Sequence, residues 1–302
     1  MTATNRDPEM FIDIHLHTRI FEGPARADGR RFATPEELRA MLEPHGVRKG
    51  VLLPLVSPEG REVLVTVEET LLVVEEHPDF FVPFMSLDPR QLSNSVDADL
   101  SHLMKYYMAR GCKGIGEVTA NLPFEHPLME NMFKHAQDCR LPIIFHVSPQ
   151  QDFSYGIVDH LGLPLLEGAL QKFPELIFLG HSQPFWSEIS GDLKEDERNN
   201  YPKGKVVEGG AVVRLMREYP NLRGDLSAGS GLNAITRDPQ FGHAFMTEFQ
   251  DRLYFGTDIC APNNEHHERL ISFLNDAVES GHIAREVYEK IAWKNAEQLL
   301  GL

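Results

Sequence analysis

The sequence contains few cysteines and lacks long apolar runs, and each shortage excludes a class of protein. Its cysteines, Cys112, Cys139 and Cys260, are widely spaced and form no C-x-x-C pair. Neither a disulfide framework nor a thiolate zinc site is therefore expected. The apolar runs are too short to span a bilayer, and residues 1–9 contain no apolar segment typical of a signal peptide. We expect reduced thiols and a cytoplasmic location.

Positive charge is also scarce. Lys and Arg total 29 against 45 Asp and Glu, which gives a net charge of −16, and no run of five or more basic residues occurs. Nucleic acid and anionic membranes are therefore not expected as partners. We expect the chain to act on a small molecule, and the sequence leaves open whether it does so as a monomer or a homo-oligomer.

Short apolar runs rich in β-branched residues alternate along the chain with longer amphipathic stretches. The short runs predict strands over residues 10–18, 49–57, 80–88, 112–120, 142–148, 176–182, 222–228 and 253–260. The amphipathic stretches predict helices over residues 34–43, 65–77, 96–110, 127–140, 163–173, 204–219, 239–250, 265–280 and 285–300.

This alternation is typical of an α/β protein with a parallel sheet wrapped by helices. The number of units favours a closed (β/α)8 barrel, with residues 1–302 forming a single domain that ends in an additional C-terminal helix. An open, doubly wound sheet is the alternative. It is disfavoured because no G-x-G-x-x-G motif follows the first strand.

The most informative motif is His15-x-His17, which closes the first predicted strand. Residues two apart on a strand project to the same face, so both imidazoles are expected to point into one interior, with Phe11 and Asp13 below them. Active sites of such barrels lie at the C-terminal ends of the strands. Other residues near the ends of predicted strands could complete the site: Glu117, His146, His181 and Asp258.

These six side chains predict a metal site. Imidazoles and carboxylates gathered in a cavity would carry a large desolvation cost, which a bound cation would offset. The donor set is compatible with Zn, Mn, Fe, Co or Ni, of which we expect Zn, with one or two ions per chain.

The motifs resemble those of the amidohydrolase superfamily, in particular its branch of small-molecule lactonases, hydrolases and decarboxylases. The resemblance rests on His15-x-His17, His146, Leu179-Gly-His-Ser182, Phe255-Gly-Thr-Asp258 and the C-terminal segment 291–300. It implies that His15, His17 and Asp258 bind a first metal and that His146 is a further ligand. It also implies that His181 is either a ligand of a second metal or a catalytic imidazole.

Glu117 decides between one metal and two in this interpretation. It resembles the bridging carboxylate of two-metal members, and the alternative is that it only orients a histidine. The resemblance implies a hydrolase of a small ester, lactone, amide or phosphoester that acts by attack of a metal-bound hydroxide, with Asp258 and His181 as catalytic residues. Two alternatives stay open: a single-metal decarboxylase or hydratase of an aromatic or unsaturated carboxylic acid, and a binding protein without turnover.

Loops after the strands should select the substrate. Arg19, Arg26, Arg30 and Arg31 follow the first strand and either pair with a substrate carboxylate or phosphate or lie in a solvated loop. The role of Asp225, in the segment 224–227 that ends the seventh predicted strand, is open between contacting substrate and capping a turn. Phe185 and Trp186 either form a pocket wall or pack within their loop.

Overall fold

The computed structural model describes residues 10–26, 29–59, 63–152, 154–264 and 266–302, and it confirms most of the predicted alternation. The strands are β1 (Phe11–Leu16), β2 (Val47–Leu52), β3 (Phe81–Pro83), β4 (Ile115–Val118), β5 (Ile143–Ser148), β6 (Ile157–Val158), β7 (Phe178–His181), β8 (Leu222–Asp225) and β9 (Leu253–Tyr254). The helices are α1 (Pro35–Leu42), α2 (Val67–Glu76), α3 (Ser101–Met108), α4 (Pro127–Asp138), α5 (Pro164–Lys172), α6 (Gln183–Trp186), α7 (Ala211–Glu218), α8 (Ala228–Thr236), α9 (Pro239–Glu248), α10 (His266–Glu279), α11 (Arg285–Glu289) and α12 (Asn295–Leu300).

Some predictions concern residues that the structure does not describe. They are the absence of a signal-peptide pattern in residues 1–9 and the start of a helix at residue 265. The single-domain organisation and the cytoplasmic location also stay predictions. Within the described ranges, none of the helices is both long enough and apolar enough to cross a membrane.

Parallel pairing arranges eight of these strands in a ring. Strands β1 to β3 form one ladder, and β4, β5, β7, β8 and β9 form another. A parallel bridge between Met85 and Ile115 joins the ladders on one side. On the other side, backbone hydrogen bonds join β1 to the chain after β9, from Ile14 N to Phe255 O (3.1 Å) and from Asp258 N to His15 O (2.8 Å). The helices lie outside, and the predicted (β/α)8 barrel is confirmed.

The barrel interior is apolar below the histidines. The residues that β1 contributes to it differ from the predicted ones. Ile12 and Ile14 pack there in a cluster with residues from five other strands, among them Val51, Val82, Ile144, Leu179 and Tyr254. Phe11 packs instead towards the helices, with its ring centroid 5.8 Å from that of Tyr288 in α11. The predicted position of Phe11 below the histidines is therefore wrong.

A β-bulge explains this difference. Asp13 pairs with Gly50 and Leu16 with Leu52, so three residue steps on β1 oppose two on β2. The bulge reverses the alternation of side chains, which places Ile12 and Ile14 below His15 and His17. A prediction of side-chain alternation from sequence alone assumes a regular strand and does not account for the extra residue of the bulge.

Helix α8 was missed because its sequence, AGSGLNAIT, is rich in residues of low helix propensity. Tertiary packing overrides that propensity. A Cβ atom at Gly231 would lie 2.4 Å from the carbonyl carbon of Leu226, so the close approach of the helix to the end of β8 requires a glycine there. Leu232 and Ile235, which are also in α8, are buried. The predicted strand over residues 222–228 consequently ends earlier, at Asp225.

The C-terminal helix is confirmed over residues 285–300, with a π-helical turn at Lys290–Lys294 between α11 and α12. Asn295 Nδ2 donates to Gln250 O (2.7 Å) and Leu253 O (2.9 Å), which ties this segment to the start of β9. Ala296 and Leu300 join the interior apolar cluster. The segment therefore covers the end of the barrel opposite the histidines.

A buried arginine, Arg198, holds together chain segments on both sides of β7. Arg198 is fully buried. Its guanidinium donates to Glu188 Oε1 (2.9 Å), Asp159 O (3.0 Å) and His160 O (3.0 Å). Ser187 Oγ donates to Arg198 O at 2.9 Å. One side chain therefore connects the segment before α5, the segment after α6 and the loop that carries Arg198.

Arg198→Met should destabilise the protein by about 3 kcal/mol or more, because it leaves the Glu188 carboxylate buried without its cation. Arg217→Met is the matched control. Arg217 pairs with Glu248 on the surface, and its loss should reduce the free energy of unfolding by under about 1 kcal/mol. Urea unfolding followed by circular dichroism measures both. Equal effects of the two substitutions would contradict the assigned role of Arg198.

Candidate metal centre

The six predicted ligands all lie at the C-terminal end of the barrel. His15 is in β1, and His17 is the first residue after this strand. Glu117 is in β4, His146 in β5 and His181 at the end of β7. Asp258 follows β9 in the left-handed backbone region, with φ of 55°. The sequence places these residues far apart, and the barrel brings them together because parallel strands end at one rim.

His15, His17, Glu117 and Asp258 form what we call the first donor group. His15 Nε2 lies 3.1 Å from His17 Nε2, and Asp258 Oδ1 lies 3.5 and 3.4 Å from these two nitrogens. Glu117 Oε2 is 3.6 Å from His17 Nε2. Ligand bonds of roughly 2.1 Å place neighbouring donors about 3 to 3.5 Å apart around one ion. The first donor group therefore fits a single transition-metal cation.

The far nitrogens of the two β1 imidazoles are held by other groups. His15 Nδ1 contacts Asp225 Oδ2 at 2.6 Å, and His17 Nδ1 contacts Leu53 O at 2.8 Å. Both acceptors place the proton on Nδ1 and leave Nε2 as the ligand atom. Metal-binding histidines are oriented in this way in proteins.

Glu117, His146 and His181 form the second donor group. Glu117 Oε1 lies 2.8 Å from His146 Nδ1 and 3.9 Å from His181 Nε2. One donor atom from each residue lies within 4.8 Å of the others. Glu117 thus presents one carboxylate oxygen to each donor group.

Burial and charge act in opposite directions on these residues. Burial lowers the pKa of His15, but the Asp225 and Asp258 carboxylates outweigh burial and raise this pKa to about 10. Burial raises the pKa of Glu117, but His146 outweighs it and holds this pKa well below the usual range. The Glu117 carboxylate therefore stays ionised, and His15 holds a proton that the neighbouring carboxylates stabilise. A divalent cation can supply the same positive charge and release that proton, so the residues present fit a metal.

Asp258 is the ligand candidate that solvent reaches most easily. Its side chain is 28% exposed, whereas that of Glu117 is 3% exposed and that of His15 is fully buried. Its Oδ2 lies 3.7 Å from His181 Nε2. Asp258 is therefore the member of the two donor groups that is most open to the mouth of the barrel.

Sequence reasoning left the role of Asp225 open and missed Ser227. Asp225 is fully buried, and its Oδ2 contacts His15 Nδ1 and lies 3.3 Å from His181 Nδ1. Ser227 Oγ donates to Asp225 Oδ2 (2.9 Å) and lies 2.9 Å from His181 Nδ1. Asp225 Oδ1 accepts from Ser227 N at 2.9 Å, so the turn-capping interpretation is the one that the structure supports, and its Oδ2 lies behind the two imidazoles. The position of both residues at the end of β8 was the signal that could have found them.

Asp13 also supports the site, from the side of β9. It is fully buried, and its Oδ1 accepts from His15 N (2.9 Å) and Thr257 N (3.0 Å). Its Oδ2 accepts from Thr257 Oγ1 at 2.6 Å. Asp13 thus links the strand that carries His15 to the loop that carries Asp258.

The aromatic residues after β7 pack within the protein. Phe185 and Trp186 are buried, and Trp186 Nε1 donates to Asp225 O at 2.8 Å. Of the two interpretations of this segment, the packed loop is therefore the one that the structure supports. Trp186 helps to fix the backbone of the residue that orients His15.

Asp225→Asn should weaken metal affinity about 10- to 100-fold without unfolding the protein, because the neutral amide no longer stabilises the His15 and His181 rings as a carboxylate does. Asp251→Asn, at an exposed position paired with Lys290, is the control. Competition with a chromogenic chelator measures the affinity, and circular dichroism reports the fold. Unchanged affinity in Asp225→Asn would show that this carboxylate does not support the ligands.

Solved structures of the same fold are similar over nearly the whole chain. An uncharacterized TIM-barrel protein from Bordetella bronchiseptica is 17% identical with a TM-score of 0.64, and the match covers 97% of this chain and 98% of that one. A probable 2-pyrone-4,6-dicarboxylic acid hydrolase from Acinetobacter baumannii, with citric acid bound, is 14% identical with a TM-score of 0.58 and coverage of 97% and 99%. A dihydroxybenzoic acid decarboxylase from Polaromonas, with bound manganese, is 14% identical with a TM-score of 0.58 and coverage of 97% for both chains.

The sequence has no match among curated proteins. A family model described as amidohydrolase, however, matches residues 12–302, which include all six ligand candidates. The resemblance inferred from the motifs is thereby confirmed. The chain belongs to the amidohydrolase family and is a metal-dependent enzyme of the amidohydrolase superfamily.

Proposed function

We propose that the protein is a hydrolase of a small ester, lactone, amide or phosphoester, with two divalent cations that share Glu117. His15, His17, Glu117 and Asp258 would hold the first cation, and Glu117, His146 and His181 would hold the second. The observation that carries this proposal is the division of the Glu117 carboxylate between the two donor groups. We expect zinc from the imidazole and carboxylate donors, although manganese is compatible with the same set.

When bound, the cations supply Lewis acidity that activates water and polarises the carbonyl or phosphoryl oxygen of the substrate. Asp258 takes the proton that the attacking water loses, because its carboxylate lies at the mouth of the barrel. It returns this proton to the leaving oxygen or nitrogen as the bond to the reacting carbon or phosphorus breaks. His181 Nε2 lies 3.7 Å from Asp258 Oδ2, and Ser227 Oγ, 2.9 Å from His181 Nδ1, holds the orientation of the ring.

A decarboxylase with one cation is the second candidate. The contact of 2.8 Å between Glu117 Oε1 and His146 Nδ1 is the observation that favours it, because a carboxylate that only orients an imidazole makes such a contact. The named decarboxylase among the similar structures is compatible with this alternative. Its substrate would be an aromatic or unsaturated carboxylic acid, and hydration of the double bond of such an acid is a related possibility.

The number of ions per chain separates the two candidates. Protein purified without chelator and then reloaded with Zn or Mn should contain about two ions per chain by elemental analysis, because two donor groups are present. Glu117→Gln should lower the ratio towards one, since the amide cannot bridge as a carboxylate does. Glu218→Gln, at an exposed position in α7, is the control. A ratio near one in the unsubstituted protein would favour decarboxylation.

Asp258→Asn should reduce hydrolysis at least about 10²- to 10⁴-fold, because it removes the group that accepts and returns the proton. Turnover is measured on a panel of small esters, lactones, amides and phosphoesters, with carbon dioxide release from aromatic acids measured in parallel. Asp276→Asn, at an exposed position in α10, is the control and should leave the rate unchanged. Full hydrolytic activity in Asp258→Asn would refute the proposed mechanism.

A further inference from the structure

A cavity of about 350 Å³ lies beside the end of β1. It is lined by residues 19–24 together with Arg31, Phe32, Thr34 and Val63. Its size is in the range of small-molecule sites. None of these lining residues belongs to either donor group, although Arg19 follows His17 by only two residues. The cavity is therefore next to the metal centre at the mouth of the barrel and separate from it.

Arg19 gives this cavity a cation whose hydrogen bonds are incomplete. Its side chain is 15% exposed, and its Nε is buried with no hydrogen-bond partner among the described residues. Glu69 Oε1 lies 3.6 Å from that nitrogen, and it already accepts from Ile20 N (2.8 Å) and Phe21 N (3.3 Å). An anion in the cavity could give the buried guanidinium the charge-assisted hydrogen bonds that Glu69 does not.

The structure gives the other arginines of this loop different surroundings. Arg31 also lines the cavity, but both of its Nη atoms donate to the Glu37 carboxylate, at 2.7 and 2.6 Å. Arg26 Nη1 donates to Cys260 Sγ at 2.9 Å, and Arg26 is not among the lining residues. Arg19 is thus the arginine of this segment best placed to bind a ligand in the cavity.

The rest of the cavity combines apolar and polar side chains. Ile20, Phe21, Phe32 and Val63 form an apolar part of the lining, Glu22 and Thr34 are polar members, and Phe21 is 63% exposed. Gly23 preserves the space around the guanidinium, since a Cβ atom there would lie 2.4 Å from Arg19 Nη1 and 2.9 Å from Val63 Cγ1. Because Arg31 is paired with Glu37, exposed apolar side chains next to the Arg19 guanidinium match a ligand with an apolar body and a single carboxylate.

We infer that this cavity binds an apolar monocarboxylate, and that in catalysis it receives the carboxylate-bearing end of a substrate whose reacting group lies at the donor groups. The assignment to substrate rests on the proposed function. The binding itself depends only on Arg19 and the apolar lining.

Benzoate is the probe, and its binding to the metal-loaded full-length protein is measured by calorimetry. Arg19→Gln should weaken benzoate binding about 10- to 100-fold, as expected for a lost charge-assisted hydrogen bond. Arg19→Lys should retain part of the affinity. Benzamide, the neutral analogue, should bind weakly and equally to all variants. Arg48→Gln, at an exposed position in β2, is the matched control and should behave as the unsubstituted protein. The melting temperature of each variant shows that it is folded.

Equal benzoate affinity in the unsubstituted protein and Arg19→Gln would overturn the inference. Inorganic phosphate that binds as tightly as benzoate, with the same dependence on Arg19, would also overturn it, because the site would then select anions without regard to an apolar body. The Asp258→Asn variant separates this inference from the proposed function. Benzoate binding that depends on Arg19 should persist in that variant even if no hydrolysis is found for any substrate.

Discussion

The structure depends on the charge balance at one end of the barrel, where the carboxylates of Glu117, Asp225 and Asp258 lie among four imidazoles. Such a cluster is unfavourable unless each charge has a partner. Asp225 Oδ2 meets this requirement through its contact with His15 Nδ1 and, with Ser227 Oγ, its position beside His181 Nδ1, so that both Nε2 atoms face the other two carboxylates. The positions of these ligand atoms therefore depend on a residue outside the two donor groups.

Most of the fold could be predicted because strand and helix periodicities are local properties of the sequence. That the six ligand candidates meet at one end of the barrel could be predicted for a related reason. In a parallel barrel every strand ends at the same rim, so polar residues at strand ends must meet wherever the chain places them. Glu117 and Asp258 are separated by more than a hundred residues, yet knowledge of their strands was enough to bring them to one site.

The features that sequence reasoning missed depend on contacts between distant segments. The bulge in β1 arises from its pairing with β2 and moved Phe11 out of the interior. Helix α8 forms through packing against the end of β8, although its composition opposes a helix. The support given by Asp225 to His15 joins residues 210 positions apart. No periodicity in the sequence reports such pairings.

The hydrogen bond from Asp258 N to His15 O closes the ring of strands, and it also joins the two ends of the chain at the first donor group. A complete ligand set therefore exists only after the first strand has met the segment that follows the last. Contacts of such long sequence separation form late and slowly. Because metal then binds the folded chain in preference to any incomplete one, it stabilises barrel closure by mass action. Metal supply is consequently expected to raise the stability of the closed barrel, independently of the reaction that the metal serves.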